Sequence, residues 1–239
     1  MKRILALAVV FFLSLITTSF AYEVADIKGG GSIKGKIKAS ARPEDPMLKI
    51  DTDMGFCRKS HPALMYILSP ILEVKNALVI VEDVKKGKYV PISDITIDNR
   101  DCRFDPLVGI AFRGRNFVIK NSDPMFHNVK LSVILQDKRM TVYNLNFPKK
   151  DQSMTMPIKV TGLHQIQCDA HIWMRSFVYV SEHPYVAITD SSGNFEIKDL
   201  PPGRYKVKIW HEGFDEVTKN VEVLSGKASE LNVTFTKLK

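Results

Sequence analysis

From Cys168 to Met174 the chain reads Cys-Asp-Ala-His-Ile-Trp-Met, which sets a thiol, an imidazole and a thioether at the spacing C-x₂-H-x₂-M. A second imidazole, His127, lies 41 positions earlier in "NSDPMFHNV" (121–129), a turn running straight into a strand. A strand-loop-strand hairpin would hold Cys168, His171 and Met174 around one short loop, and a neighbouring strand would bring His127 beside them. Two imidazoles and a thiolate then form a trigonal set, with the thioether as a weaker fourth contact. Those donors suit copper: soft sulfur favours Cu(I), imidazole favours Cu(II), and a compromise geometry lets the ion change oxidation state with little rearrangement. Zinc more often takes four strong N, S or O ligands, and a thioether is a poor donor to it. The bland alternative for Met174 is a methionine filling a gap in the core.

The elements that must position these residues read as strands almost throughout. Segments 32–39, 76–84, 94–99, 109–121, 127–135, 152–160 and 175–180 are rich in Val, Ile and Phe and are separated by polar or Gly/Pro/Asn/Asp turns. Only 62–74 leaves room for a short helix or loop, so the fold class is all-β. In the last third, "TDSSGNFEIKDLPPGRYKVKI" (189–209) resembles the carboxypeptidase regulatory-like, or transthyretin-like, small β-sandwiches. That fold usually begins with two further strands of the types "GSIKGKI" (31–37) and "ALVIVEDV" (77–84), which here lie far upstream. Two arrangements stay open. Residues 24–88 and 184–239 form one discontinuous sandwich with 89–183 inserted, or an N-terminal segment 22–88, a central domain 89–183 and a C-terminal domain 184–239 follow in sequence order.

The stretch from Asp94 to Ser181 resembles the cupredoxins, Greek-key β-sandwiches that hold blue copper, and within them the short-loop amicyanin type. "NSDPMFHNV", "CDAHIWMR" and the closing "SFVYV" carry the resemblance. It implies one copper ion, with His127 as the buried imidazole ligand and Cys168 as the thiolate. His171 becomes the second imidazole, near the surface, and Met174 the axial ligand. Asn128 would tie the ligand strands together and hydrogen-bond near the Cys sulfur, a contact of the kind that tunes a metal's potential. Ala170 and Ile172 replace prolines common beside the exposed histidine, and Gln165, Gln167 and His164 stand where aromatics often sit. Trp173 has two readings, packed inward or joining Ile172 in an apolar docking collar around His171. His61, His164, His183 and His211 are expected to be surface or hydrogen-bonded histidines. Met154 and Met156 alternate as strand residues do, with a Cu(I) relay as the sharper alternative.

Composition and address set the remaining bounds. Lys2-Arg3, an apolar run from Ile4 to Ile16, and small residues at Ser19 and Ala21 form the layout of a signal peptide cut after Ala21. The expected protein is periplasmic or secreted, soluble, and without a membrane span after cleavage. The net charge of +8 falls to +6 when Lys2 and Arg3 leave. Its diffuse basic surface suits an acidic protein partner and not nucleic acid. Three cysteines in an oxidising compartment imply one pair and one special thiol. Cys57–Cys102 is the assigned disulfide, against the alternative of two independent buried thiols.

Cys168 is alone in its loop, which excludes a dinuclear copper centre. C-x-x-C-H haem attachment, H-E-x-x-H and a Ser-His-Asp pattern are absent. A four-ligand copper leaves no open position for substrate, so the expected role is not enzymatic. It is single-electron transfer with a redox protein, a cytochrome or dehydrogenase. The competing readings are copper storage or delivery, and a binding or scaffold module with a structural copper.

Overall fold

Two kinds of apolar pattern build the fold seen in the computed structural model, which describes residues 22–136 and 138–239. The expected signal peptide, residues 1–21, lies outside the described residues. Strands with alternating apolar residues bury one face, and strands with unbroken apolar runs bury both. Among the described residues, regular structure is β apart from a single short α-helix, Met54–Cys57.

The first sandwich has a five-stranded sheet in the order Lys138–Phe147, His127–Leu135, Gly162–Gln167, Arg175–Ser181, Val108–Phe112. Facing it is a four-stranded sheet ordered Gln152–Pro157, Asn116–Asn121, Ile95–Arg100, Arg103–Asp105. Asn116–Asn121 pairs with Ile95–Arg100, and Arg175–Ser181 with Val108–Phe112, in parallel, while the other neighbours run antiparallel. Inward residues of both sheets, among them Ile97, Phe117, Ile119, Val129, Leu131, Ile166, Val178 and Val180, form one buried cluster. Cys168, Trp173 and Met174 belong to that cluster.

Two features differ from the sequence expectation. Residues 109–121, expected as one strand, are two strands in different sheets. The chain turns at Gly114, whose φ of +79° is accessible to glycine at little cost, and the Arg115 N–H closes the turn on the Phe112 carbonyl at 3.1 Å. The strand Lys138–Phe147 has no counterpart among the expected segments. It is an edge strand exposed along most of its length, so it carries no apolar periodicity to read.

The second sandwich is discontinuous in sequence. Leu78–Val81 lies between Val186–Ile188 and Gly203–His211, with Phe214–Val223 at the edge. Gly31–Ala39 pairs with Asn194–Leu200 on one side and with Ala228–Glu230 and Val233–Phe235 on the other. The four residues Leu78–Val81 explain how the sandwiches join. Val79 and Val81 point into the second core, while Leu78 and Ile80 meet Val108, Phe177 and Trp210 in a separate buried cluster between the two sandwiches. Phe177 and Trp210 meet edge-on there, with ring centroids 5.0 Å apart.

The segment between Gly31–Ala39 and Leu78–Val81 holds an antiparallel pair, Met47–Lys49 with Ser60–Pro62, and the helix Met54–Cys57. Residues 62–74 contain no helix; isolated bridges pin them as a loop, Leu68 to Val74 and Glu73 to Lys38. Cys57 is bonded to Cys102, with Cα atoms 5.5 Å apart, so this segment is stapled to the first sandwich. Among the described residues no helix is long and apolar enough to cross a membrane.

Candidate metal centre

His127 begins the strand His127–Leu135, and Cys168 directly follows Gly162–Gln167, its antiparallel neighbour. Two strand ends in adjacent registers therefore bring together residues 41 positions apart. The loop after Cys168 closes on itself: the Met174 N–H donates to the His171 carbonyl at 2.8 Å and the Cys168 N–H reaches the Met174 carbonyl at 3.4 Å. This turn points His171 back at the cysteine, and Arg175 starts the next strand.

The donor atoms of His127, Cys168 and His171 lie within 4.8 Å of one another, and all three residues are buried. The Nδ1 atoms of the two histidines are 3.0 Å apart, and His171 Nδ1 is 3.6 Å from the Cys168 sulfur. Each ring turns its other nitrogen to a carboxylate. His127 Nε2 is 2.9 Å from Asp123 Oδ2, and His171 Nε2 is 2.8 Å from Asp53 Oδ2. A carboxylate at Nε2 selects the tautomer that carries its proton there, leaving both Nδ1 lone pairs facing inward, where they meet each other and the His171 one also meets the sulfur. Two facing lone pairs at 3.0 Å repel each other unless a cation or proton lies between them. The residues present therefore fit a soft-to-borderline metal ion held by two nitrogens and a thiolate.

Electrostatics around the sulfur agree. Burial raises the Cys168 thiol, but His171 and the backbone N–H groups of Asn128, His171 and Ala170 outweigh it, and the net shift is downward, toward the ligating thiolate. Burial lowers His171, yet Cys168 and Asp53 bring its net shift upward. For Asp123, burial raises the carboxyl, while His127 and the N–H groups of Cys102 and Asp101, donating at 2.9 and 2.8 Å, carry it below the usual range.

Asn128 binds the pieces together. Its backbone N–H points at the Cys168 sulfur, 3.4 Å away. Its side-chain amide donates to Asn144 Oδ1 and Asn146 Oδ1 on the edge strand, and its Oδ1 accepts the Asp169 N–H. Met174 is 1 % exposed and packs in the same cluster as Cys168.

Two expectations need correction. His171 is not near the surface: it is 1 % exposed, because the stapled segment lays Asp53 over its outer edge. Trp173 does not line a docking collar, since it is 5 % exposed and its indole N–H donates to the Cys102 carbonyl at 3.2 Å. The two ends of one disulfide thus lie by the pair, with Asp53 of the Cys57 segment on His171 and Cys102 itself on Trp173. Ile172 between them is 78 % exposed. His164, His183 and His211 are all buried, and His61 is partly so, with Nδ1 3.3 Å from the Pro62 carbonyl. His164 Nδ1 lies 3.1 Å from the Gly162 carbonyl. Met154 is exposed on the outer strand Gln152–Pro157, across the sandwich from the strand that carries His127. Asp53 and Asp123 escape a reading of the sequence. Asp123 carries a local signal, four residues before His127, whereas nothing local marks Asp53.

The C-terminal strands also match a known family. Residues 177–236 match the carboxypeptidase regulatory-like domain. The matched span takes in Val186–Phe235, and the upstream strands Gly31–Ala39 and Leu78–Val81 complete its two sheets. No curated protein matches the chain. Among solved structures, a copper-containing nitrite reductase from Thermus scotoductus SA-01 is similar over 40 % of this chain and 24 % of its own, at 15 % identity and a TM-score of 0.32. This chain thus spans about a quarter of that one. A purple cupredoxin from Nitrosopumilus maritimus covers 36 % of this chain and 98 % of its own, at 20 % identity and TM-score 0.31. A Cu(I) structure of an amicyanin carrying a methionine-to-alanine change covers 43 % and 98 %, at 18 % identity and TM-score 0.31. The protein thus joins two β-sandwiches, and residues 177–236, which supply most strands of the second, match the carboxypeptidase regulatory-like domain.

Proposed function

We propose that His127, Cys168, His171 and Met174 hold one copper ion as a type 1 site, and that the protein passes single electrons between redox partners. The observation that carries this reading is the convergence of two inward-facing Nδ1 atoms and a buried, thiolate-favouring sulfur on one point. Copper bound there supplies a Cu(II)/Cu(I) couple. The chain's own part is to keep the donors still. Asn128 holds the ligand strand against the loop, and Asp123 holds the His127 ring. The Arg175 guanidinium, next to Met174, is anchored at 2.8 Å on Glu212 of the second sandwich. Donors fixed in advance change little when the charge on the metal changes, which is the requirement for fast electron exchange.

Burial of all three donor residues, with Met174 packed beside them, suits an electron carrier, whose metal exchanges electrons and not ligands. The Cys57–Cys102 disulfide supports work in an oxidising compartment, periplasmic or extracellular. The partner is a redox protein, a cytochrome or dehydrogenase. The deciding experiment is the optical and EPR spectrum of the purified protein after Cu(II) addition, beside Cys168→Ser. The expected result is an intense visible thiolate-to-copper band with a narrow hyperfine splitting, both lost in Cys168→Ser. A copper-replete but colourless wild type overturns the reading.

A further inference from the structure

We propose that Asp53 is a positioning residue for this centre. Reaching across 118 positions of sequence, it holds the His171 ring with Nδ1 inward and places a carboxylate one imidazole away from the metal. The inference rests on the copper reading above and concerns a group outside the donor set and outside the sandwich that carries it.

The local structure around Asp53 is organised for that contact. Asp53 is the N-cap of the Met54–Cys57 helix, where an aspartate ordinarily turns its carboxylate onto the first free N–H groups of the helix. Here the side chain makes no capping bond. The Asp53 backbone carbonyl accepts the N–H groups of Phe56 and Cys57 instead, at 3.0 and 2.8 Å, and the carboxylate is left for His171 Nε2. The backbone sits in the left-handed region, φ 49° and ψ 30°, which aspartate tolerates better than most non-glycine residues. The segment is held on both sides: the helix ends at Cys57, bonded to Cys102, and the paired Met47–Lys49 and Ser60–Pro62 strands flank it. The side-chain cap is absent and the carboxylate is aimed at His171. With Asp123 on His127, each imidazole is then backed by a carboxylate, the arrangement that fixes ring orientation and raises ligand basicity. A negative charge so close favours Cu(II) over Cu(I).

Two substitutions separate charge from hydrogen bond. Asp53→Asn keeps an acceptor oxygen and removes the charge; Asp53→Ala removes both. In Asp53→Asn the ratio of Cu(II) to Cu(I) affinity is expected to fall about tenfold, a rise in reduction potential of about 59 mV for a one-electron couple. In Asp53→Ala a comparable rise comes with about tenfold faster copper loss to a chelator. The metal-free protein gives an independent readout: long-range ¹H–¹⁵N spectra should show His171 as the Nε2–H tautomer in wild type and as a mixture in Asp53→Ala. An unmoved potential together with an unmoved tautomer overturns the proposal. A wild type with no thiolate-to-copper band refutes the copper reading instead, and the tautomer measurement still decides the role of Asp53.

Discussion

Replacing both cysteines of the disulfide, Cys57→Ala with Cys102→Ala, tests how the covering segment is held. The bridge spans 45 positions. Within them lie Leu78–Val81, a central strand of the second sandwich, and Ile95–Arg100 of the first. The cross-link therefore restricts an unfolded chain that must otherwise order both cores independently. Loop-closure entropy for a loop of that length corresponds to about 4 kcal/mol at 25 °C. Both cysteines are buried, so the double alanine variant also loses a small packing contribution. Changing both residues avoids a freed thiol that could pair with Cys168. The assay is equilibrium urea unfolding of the metal-free protein under non-reducing conditions. A lower midpoint is expected, with a loss of about 4 kcal/mol and a larger m-value, because the unfolded chain without the cross-link is less compact. In the copper-loaded variant, chelator should remove metal faster, because the segment carrying Asp53 is no longer stapled over His171. A loss below about 1 kcal/mol, well under the loop-closure value, would refute the reasoning that the bridge constrains both sandwiches.

Acid should destabilise the protein through His211, whose pKa is lowered to about 4 by burial and by the nearby Lys239 ammonium. An unfolded histidine takes a proton near pH 6.5, so stability falls as pH drops from about 6.5 to about 4, by about 3 kcal/mol at most. Urea midpoints at about pH 7 and about pH 4.5 should differ less in His211→Asn, which keeps an acceptor for the Gly213 N–H. Trp210→Ala empties the apolar joint between the sandwiches and should cost about 3–5 kcal/mol by the same unfolding measurement. An intact midpoint would mean the joint contributes nothing to folding. Asn128→Ala breaks the tie between the ligand strand, the edge strand and the loop, so copper affinity measured by chelator competition should fall about 10–100-fold.

The parts of this protein that are legible in its sequence are those whose signal is local. Strand segments announce themselves by β-branched and aromatic runs, which is why the all-β class can be read directly. The spacing of Cys168, His171 and Met174 belongs to one turn and so survives in the linear text. The strand Lys138–Phe147 is illegible because an exposed edge carries no periodic pattern. The break at Gly114 is hidden inside an apolar stretch because the sheet switch depends on what each half packs against.

Tertiary structure alone decided the rest. Residues 77–84 read only as a strand; that Leu78–Val81 buries two faces, one in its own core and one against the first sandwich, follows from its place between them. The environment of His171 shows the same limit. The loop sequence alone leads to an expectation of a histidine near the surface, yet the ring is buried, because a segment far upstream, held by a disulfide, delivers Asp53 to its Nε2. Sequence specifies which side chains can act as donors, since that is a property of residue type. Which groups stand behind those donors depends on long-range chain placement, and no local pattern encodes it.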